Sequence, residues 1–422
     1  MPLVRALYSL GLWLAQPLLK RKLLRRAVTE PGYAHAIEQR FGHYDTAAET
    51  EGNAKRFIWV HAVSLGETRA AAVLIAGLRA QYPGMRLLLT HGTATGWEQG
   101  TALLQAGDVQ TWQPWDTPGA VQRFLNQFRP RIGLLMETEV WPNMVAACQQ
   151  AGVPLCLVNA RMSDKSMRKA LRLRWLSRPA YAGLHTVLAQ TEDDAKRLRT
   201  LGATVQTVTG NLKFDATPDA ALLARGQAWR ASSAKPVLVF TSSREGEEQI
   251  FIDALRANPI ADVQWLIVPR HPQRFEVVAE LFQAAGFTVS RRSAWQELPS
   301  AAEVWLGDSL GEMALYYGLA DAALLGGSFA PLGGQNLIEA AACGCPVLMG
   351  PHTFNFAQAA EMAQSEGAAL RCADLPDALR QGAALLADST ALAQSRQAAL
   401  AWSVAHQGAT RRTLDALQSV RN

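Results

Sequence analysis

The sequence predicts an α/β protein built from two doubly wound domains, and three observations carry that expectation. Short apolar runs alternate with helical patterns through most of the chain, the signature of a parallel sheet covered on both faces. The alternation breaks around Pro218 and starts again at Val237, so two sheets are expected rather than one. In the second series the apolar run Ala322 to Leu325 enters a glycine-rich loop containing Gly326, Gly327, Gly333 and Gly334, and a small-residue helix opens from about Leu337. Such a helix start offers backbone N–H groups to an anion, and glycine lets a ligand approach the backbone closely.

At 422 residues the chain has the length of two or three ordinary domains. Its composition is globular, with 49% hydrophobic and 18% charged residues. A formal charge of +5 and a pI near 9.0 favour an anionic partner only mildly, and fall short of the excess a nucleic-acid binder would carry. The cysteines Cys148, Cys156, Cys343, Cys345 and Cys372 are scattered and odd in number. Cys343-Gly-Cys345 is too closely spaced for the usual zinc pairing and has no second pair, so reduced, cytosolic thiols are expected.

From the N-terminus, Ala6 to Leu19 is almost entirely apolar and is followed by the basic run Lys20 to Arg26. As a helix the apolar run rises only about 21 Å, short of a hydrocarbon core of roughly 30 Å. A cleaved signal peptide would carry its charges before the run and a small-residue cleavage site after it. Residues 1–26 are therefore expected to form a cytoplasm-facing anchor that dips into or marginally spans the bilayer, its basic flank on anionic lipid head groups. A first helix packed on the protein itself is the alternative.

After a linker through about Glu51, the first domain (27–215) is expected to hold strands at Phe57 to Val63, Arg86 to Thr90, Gly133 to Met136, Leu155 to Val158, Val187 to Ala189 and Val205 to Val208. Helices are expected at Thr68 to Gln81, Ala120 to Asn126 and Asp193 to Leu201. The second domain (216–422) is expected to hold strands at Val237 to Thr241, Trp265 to Val268, Val304 to Leu306, Ala322 to Leu325 and Val347 to Met349, with helices from Glu247, Phe275 and Glu312. A last helix from about Ser389 to Val420 could return to the first domain. Ligands of such sheets gather at the carboxyl ends of the strands, so a cleft between the domains is the expected site.

Several strand ends carry chemistry. In His61-Ala-Val-Ser-Leu-Gly-Glu67-Thr68 a strand turns into a helix. Glu67 can be the acid of a Ser64/Glu67 capping box, or a carboxylate that takes a proton from a hydroxyl nucleophile, provided partial burial lifts its pKa. Glu137 and Glu139, in Met136-Glu-Thr-Glu-Val-Trp-Pro-Asn143, are either solvated loop acids or acids of a cleft that need partners. No His or Asp lies near them at a ligand spacing, and no metal site is expected. Lys213, in Gly210-Asn-Leu-Lys-Phe-Asp215, is either a solvated lysine or a holder of negative charge at the domain junction. Arg270, between Pro269 and Pro272, suits a phosphate better than a surface arginine does. Ser309/Glu312 and Asn336/Glu339 again read as capping boxes; alternatively, the Asn336 helix start takes a phosphate and Glu339 the hydroxyls of a ribose. Finally, Arg161 to Arg178 carries Lys165, Arg168, Lys169 and Arg172 at one-turn spacing with Asp164 as its acid. Such a face is either simply solvated or docked on phosphorylated lipid.

Taken in order, the motifs at 61–67, 136–143, 210–215, 268–272, 307–312, 333–340 and 350–356 resemble those of the 3-deoxy-D-manno-octulosonic acid (Kdo) transferases, over nearly the full length. The resemblance implies a GT-B fold, two Rossmann-like domains facing a cleft. It also implies transfer of Kdo from CMP-Kdo to the lipid A precursor, lipid IVA, at the cytoplasmic face of the inner membrane during lipopolysaccharide synthesis. By the same resemblance Glu67 matches the family's general base, and Glu137 and Lys213 its transition-state stabilisers. Pro269 and Arg270, Leu310, Gly311 and Glu312, and Asn336, Leu337, Ile338 and Glu339 match its CMP-binding segments. Gln335 stands where His is common, and Ser243-Arg244 where Thr-His is common. Inverting transfer from a CMP-activated sugar is a single displacement, so one base and charge stabilisation suffice without a cofactor, Arg270 and backbone N–H groups serving the phosphate. Two other readings stand beside it: another GT-B sugar-nucleotide enzyme, told apart by binding UDP rather than CMP, and a non-catalytic membrane-docked nucleotide-binding module. Two carboxylates at separate strand ends speak against the module.

Overall fold

The computed structural model describes residues 2–44 and 57–421, so the end of the expected linker, residues 45–51, lies outside it. The chain divides into two compact units, Met1–Asp215 with Gln407–Asn422, and Ala216–His406.

The first unit holds seven strands: β1 (Ile58–His61), β2 (Leu87–His91), β3 (Val109–Trp112), β4 (Ile132–Met136), β5 (Leu155–Ala160), β6 (Thr186–Ala189) and β7 (Val205–Val208). All pair in parallel, in the order β3-β2-β1-β4-β5-β6-β7. Because side chains alternate across a strand, β1 sends Trp59 to one hydrophobic layer and Ile58 and Val60 to the other. Likewise β5 sends Leu155 and Leu157 one way, Cys156 and Val158 the other. The strands read as unbroken apolar runs for this reason. The order reverses at β1 and β4, and chains leaving their carboxyl ends have no neighbouring crossover to fill the space.

The second unit holds β8 (Val237–Ser243), β9 (Gln264–Pro269), β10 (Val289–Arg291), β11 (Val304–Leu306), β12 (Ala322–Leu325), β13 (Val347–Met349) and β14 (Ala369–Arg371). This sheet is also parallel, ordered β10-β11-β9-β8-β12-β13-β14. Strands β3, β10 and β14 go beyond the sequence expectation. Each is a sheet edge and is short, with half-buried or polar residues such as Gln110, Ser290 and Arg371. An edge lacks the two-sided burial that writes an apolar run into the sequence.

The expected single last helix is two, Ser389–Ala405 and Ala409–Arg421. They are separated at Gly408, whose φ of +92° suits glycine. The second belongs to the first unit, where Ala409 and Leu417 enter the core beside Leu74 and Leu78. Its start is held by Asp215, whose carboxylate accepts from the N–H of Gly408 at 2.6 Å and of Thr410.

At the N-terminus one helix spans Pro2–Ala27 with Pro17 inside it. Among the described residues no helix is long and apolar enough to cross a membrane. One side of the helix packs on the unit: Tyr8 donates to the Asp116 carboxylate at 3.1 Å, Ser9 meets Asn143, and Leu23 is buried. The other side leaves Leu3, Leu7, Leu10, Leu14 and Leu18 exposed, at 52 to 70%, at the three- and four-residue spacing of one helical stripe.

Candidate active site

Strand β1 ends at His61, and after Val63 the chain turns into the helix Leu65–Gln81. Ser64 caps that helix by accepting from the Glu67 N–H, and the Glu67 carboxylate accepts from the Val63 N–H at 2.8 Å and from the Ser64 hydroxyl. The capping box is therefore real, but it does not exhaust Glu67. Burial, then the neighbouring Glu137 charge, pushes its carboxyl up to about 7 against the pull of the Val63 N–H, with Glu139 adding to the rise. A carboxyl titrating near neutrality is matched to accepting a proton. His61, at the end of β1, is not a competitor: fully buried, it is pushed down to about 3 and stays neutral, its Nδ1 on the Thr90 hydroxyl at 2.9 Å.

Strand β4 ends at Met136, and Glu137 takes a φ of +58°. That left-handed residue ends the alternation of the strand. Glu137 is 3% exposed and its carboxylate meets Lys213 Nζ at 3.0 Å and Arg161 Nε at 2.7 Å. Burial alone would raise its pKa; the Lys213 and Arg161 charges reverse that and hold it below the usual carboxylate range. Glu139 accepts from the Trp141 indole at 2.9 Å, and burial raises its pKa. Lys213 is not a solvated loop lysine, being largely buried against Glu137 in the short turn Leu212–Asp215. Asn159, itself at φ +51°, fixes that turn by accepting from the Leu212 N–H. Arg161 is a member of the cluster that sequence reasoning does not single out as a site residue. Its signal is its place directly after a buried strand, as for Glu137.

In the second unit, Pro269 ends β9 and the Arg270 N–H donates to the Ser243 carbonyl at 3.0 Å. Leu310 is exposed and Gly311 has a φ of +80°. Glu312 precedes the helix Met313–Leu319 and pairs with Arg292 at 2.8 Å, while its other oxygen takes the Ser309 hydroxyl. Asn336 caps the helix Leu337–Ala342 by accepting from the Ile338 N–H at 3.2 Å. Leu337 and Ile338 are buried, and Glu339 is half-buried in the first turn. With six residues this helix has little dipole, so any anion affinity rests on local N–H groups.

The glycines before it have backbone reasons of their own. A side chain on Gly326 would lie 2.4 Å from the Ser242 carbonyl, and Gly333 has a φ of +91°. What shapes the loop is Glu247, fully buried, whose carboxylate accepts from the N–H groups of Gly327 and Arg244 at 2.8 and 2.9 Å and of Ala330 at 3.3 Å. Glu248 beside it is held by Ser243 and by Arg274 at 2.9 Å. Neither acid stands out in the sequence. Among the described residues no group of three or more His, Cys, Asp or Glu is placed to hold a metal ion.

A family model described as 3-deoxy-D-manno-octulosonic-acid transferase (kdotransferase) matches residues 35–216. The 3-deoxy-D-manno-octulosonic acid transferase of Bordetella pertussis is 49% identical over 98% of this chain and 99% of its own. The chain belongs to the Kdo transferase family. The enzyme of that name from Haemophilus influenzae is 32% identical over 98% of each chain. A glycosyltransferase structure from Rickettsia africae covers 86% of this chain and 98% of its own with a TM-score of 0.57 at 13% identity, a likeness of fold. The two parallel α/β units are those of a GT-B glycosyltransferase, and Glu67, Glu137 and Lys213 fall within the stretch that the Kdo transferase family model matches.

Proposed function

We propose that the protein is an inverting glycosyltransferase that moves Kdo from CMP-Kdo to the lipid A precursor, lipid IVA, in lipopolysaccharide synthesis at the cytoplasmic face of the inner membrane. Membership of the Kdo transferase family supports the sugar. The observation that carries the mechanism is the Glu67 carboxyl, raised to about 7 beside an acid that is charge-compensated by Lys213 and Arg161.

In this reading Glu67 accepts the proton of the acceptor hydroxyl as its oxygen attacks the anomeric carbon of Kdo. The bond from that carbon to the CMP phosphate breaks, and its electron pair leaves with the phosphate. The Glu137–Lys213–Arg161 cluster supplies fixed charge where the transition state develops its own. Glu137 stays ionised throughout because two cations face it, whereas Glu67, raised by burial and by the Glu137 charge, can change its protonation state. The same field thus separates the pKa values of two neighbouring carboxyls and assigns their roles.

On the second unit, Pro269 and Arg270, Leu310 to Glu312 and Asn336 to Glu339 are the segments we assign to CMP. The guanidinium of Arg270 and loop N–H groups suit the phosphate, and Glu339 suits the ribose hydroxyls. The exposed leucine stripe of the N-terminal helix, followed by the exposed Arg21, Lys22 and Arg25, supports a helix lying in the plane of an anionic bilayer surface rather than across it.

The test is to incubate the purified protein with CMP-Kdo and detergent-dispersed lipid IVA and count added Kdo units by mass spectrometry. Product carrying Kdo, together with calorimetric binding of CMP in preference to UDP, is the expected result. Binding of UDP alone, with no Kdo product, would replace this reading with that of another sugar-nucleotide enzyme.

A further inference from the structure

The stretch after β5 folds as two short helices, Asp164–Arg172 and Arg174–Ala182, that meet at Leu173. The first is anchored on one side, where Met167 and Ala170 pack against the core of the unit. Its other side carries Lys165, Arg168, Lys169 and Arg172, spaced i, i+3, i+4 and i+7, and therefore one stripe. All four are exposed, as are Arg174 and Arg178. The acid of the stretch, Asp164, is engaged by Arg197 at 2.7 Å, and among the described residues no ion pair neutralises the four lysines and arginines of the stripe.

Three apolar side chains stand exposed where the helices meet: Leu171, Leu173 at 64% and Trp175 at 60%, with the Arg174 guanidinium over the Trp175 ring. Solvation explains a basic stripe but not Leu173 and Trp175 held in water at its end. A tryptophan and leucines flanked by cations are what a bilayer interface takes up, the aromatic at head-group level and the cations on anionic phosphates. Helix Arg174–Ala182 also packs against the N-terminal helix Pro2–Ala27, which bears the exposed leucine stripe.

We propose that this helical corner is a second membrane contact, in which Leu173 and Trp175 insert among anionic lipids and the basic stripe binds their phosphates. It rests on the reading that the acceptor is a membrane lipid, and deepens it. Arg161, the partner of Glu137, lies four residues before Lys165, so the contact would anchor the strand end that carries the catalytic charges directly at the bilayer.

The test uses the full chain with Leu173→Cys carrying an environment-sensitive fluorophore; the five native cysteines are buried. Vesicles of phosphatidylglycerol and phosphatidylcholine should shift its emission to the blue, and phosphatidylcholine alone should not. Replacing Lys165, Arg168, Lys169 and Arg172 by Gln should weaken binding to the anionic vesicles about 10²-fold or more. Kdo transfer to detergent-dispersed acceptor should stay within about twofold in that variant. A label at Leu173 that stays dark while one at Leu10 responds would overturn the proposal, and so would a larger response to heparin than to anionic vesicles. Loss of Kdo transfer in the wild-type protein would instead remove the acceptor reading, whatever the label at Leu173 reports.

Discussion

Replacing Glu67 by Gln separates a base from a cap, because it removes the charge and keeps the shape. The oxygen of the introduced amide can still accept from the Val63 N–H, and its NH₂ group can donate to the Ser64 hydroxyl, so the helix start survives. The charge effect follows from the carboxyl being raised from 4.5 to about 7. A folded-state pKa above the unfolded value means that the folded protein binds the proton more tightly. That stabilisation is complete below pH 4.5 and is lost as pH rises through about 7. The difference corresponds to about 3 kcal/mol. The neutral amide has no such loss, so relative to wild type the Glu67→Gln variant should gain stability between about pH 5 and pH 8, seen as a urea midpoint that rises against wild type at the higher pH. Over the same range turnover with CMP-Kdo should be lower by about 10²-fold or more, with CMP affinity nearly unchanged. In the wild type kcat/KM should climb with pH to a plateau just above about 7. Turnover within about threefold of wild type, or a pH profile flat from about 5 to 8, would return Glu67 to its capping role.

Four other outcomes are expected. Lys213→Met leaves the buried Glu137 with Arg161 alone and should cost about 3 kcal/mol of stability; adding Glu137→Gln should recover much of that in thermal denaturation but none of the activity. Arg270→Ala and Glu339→Ala should each weaken CMP binding by about 1.5 to 3 kcal/mol in calorimetry. Glu247→Gln sets an amide against N–H groups of Gly327 and Arg244, and should loosen the glycine-rich loop by about 1 to 3 kcal/mol, read as weaker CMP binding with the circular dichroism of the fold retained. Leu7→Gln, Leu10→Gln and Leu14→Gln together should weaken membrane binding at little cost in stability, since all three side chains are exposed; deletion of the whole helix would also strip Tyr8 from Asp116.

The central strands are legible in the sequence, because a strand buried on both faces must be apolar at consecutive positions, as Val60, Leu134 and Leu157 are. So are the strand-end acids, since a strand that stops at a turn into a helix declares where its next polar residue will stand. Glu67 and Glu137 can each be named on that ground, whereas Lys213 follows the partly exposed β7 and is named by its motif. The edge strands β3, β10 and β14 leave no such trace, and neither does the break at Gly408 inside an otherwise continuous helical pattern.

What the sequence by itself determined is which residues stand at the ends of buried strands, for that follows from local periodicity. Only the tertiary structure decided what they do to one another. Glu137 and Lys213 are 76 residues apart in the chain, Glu137 and Arg161 24 apart, and Glu247 reaches Gly327 across 80. Whether a carboxyl is raised or lowered depends on burial and on charges within a few ångströms, and these are set by the packing of separate strands rather than by neighbours in sequence. That is why Glu67 and Glu137, alike on paper, end with opposite pKa shifts.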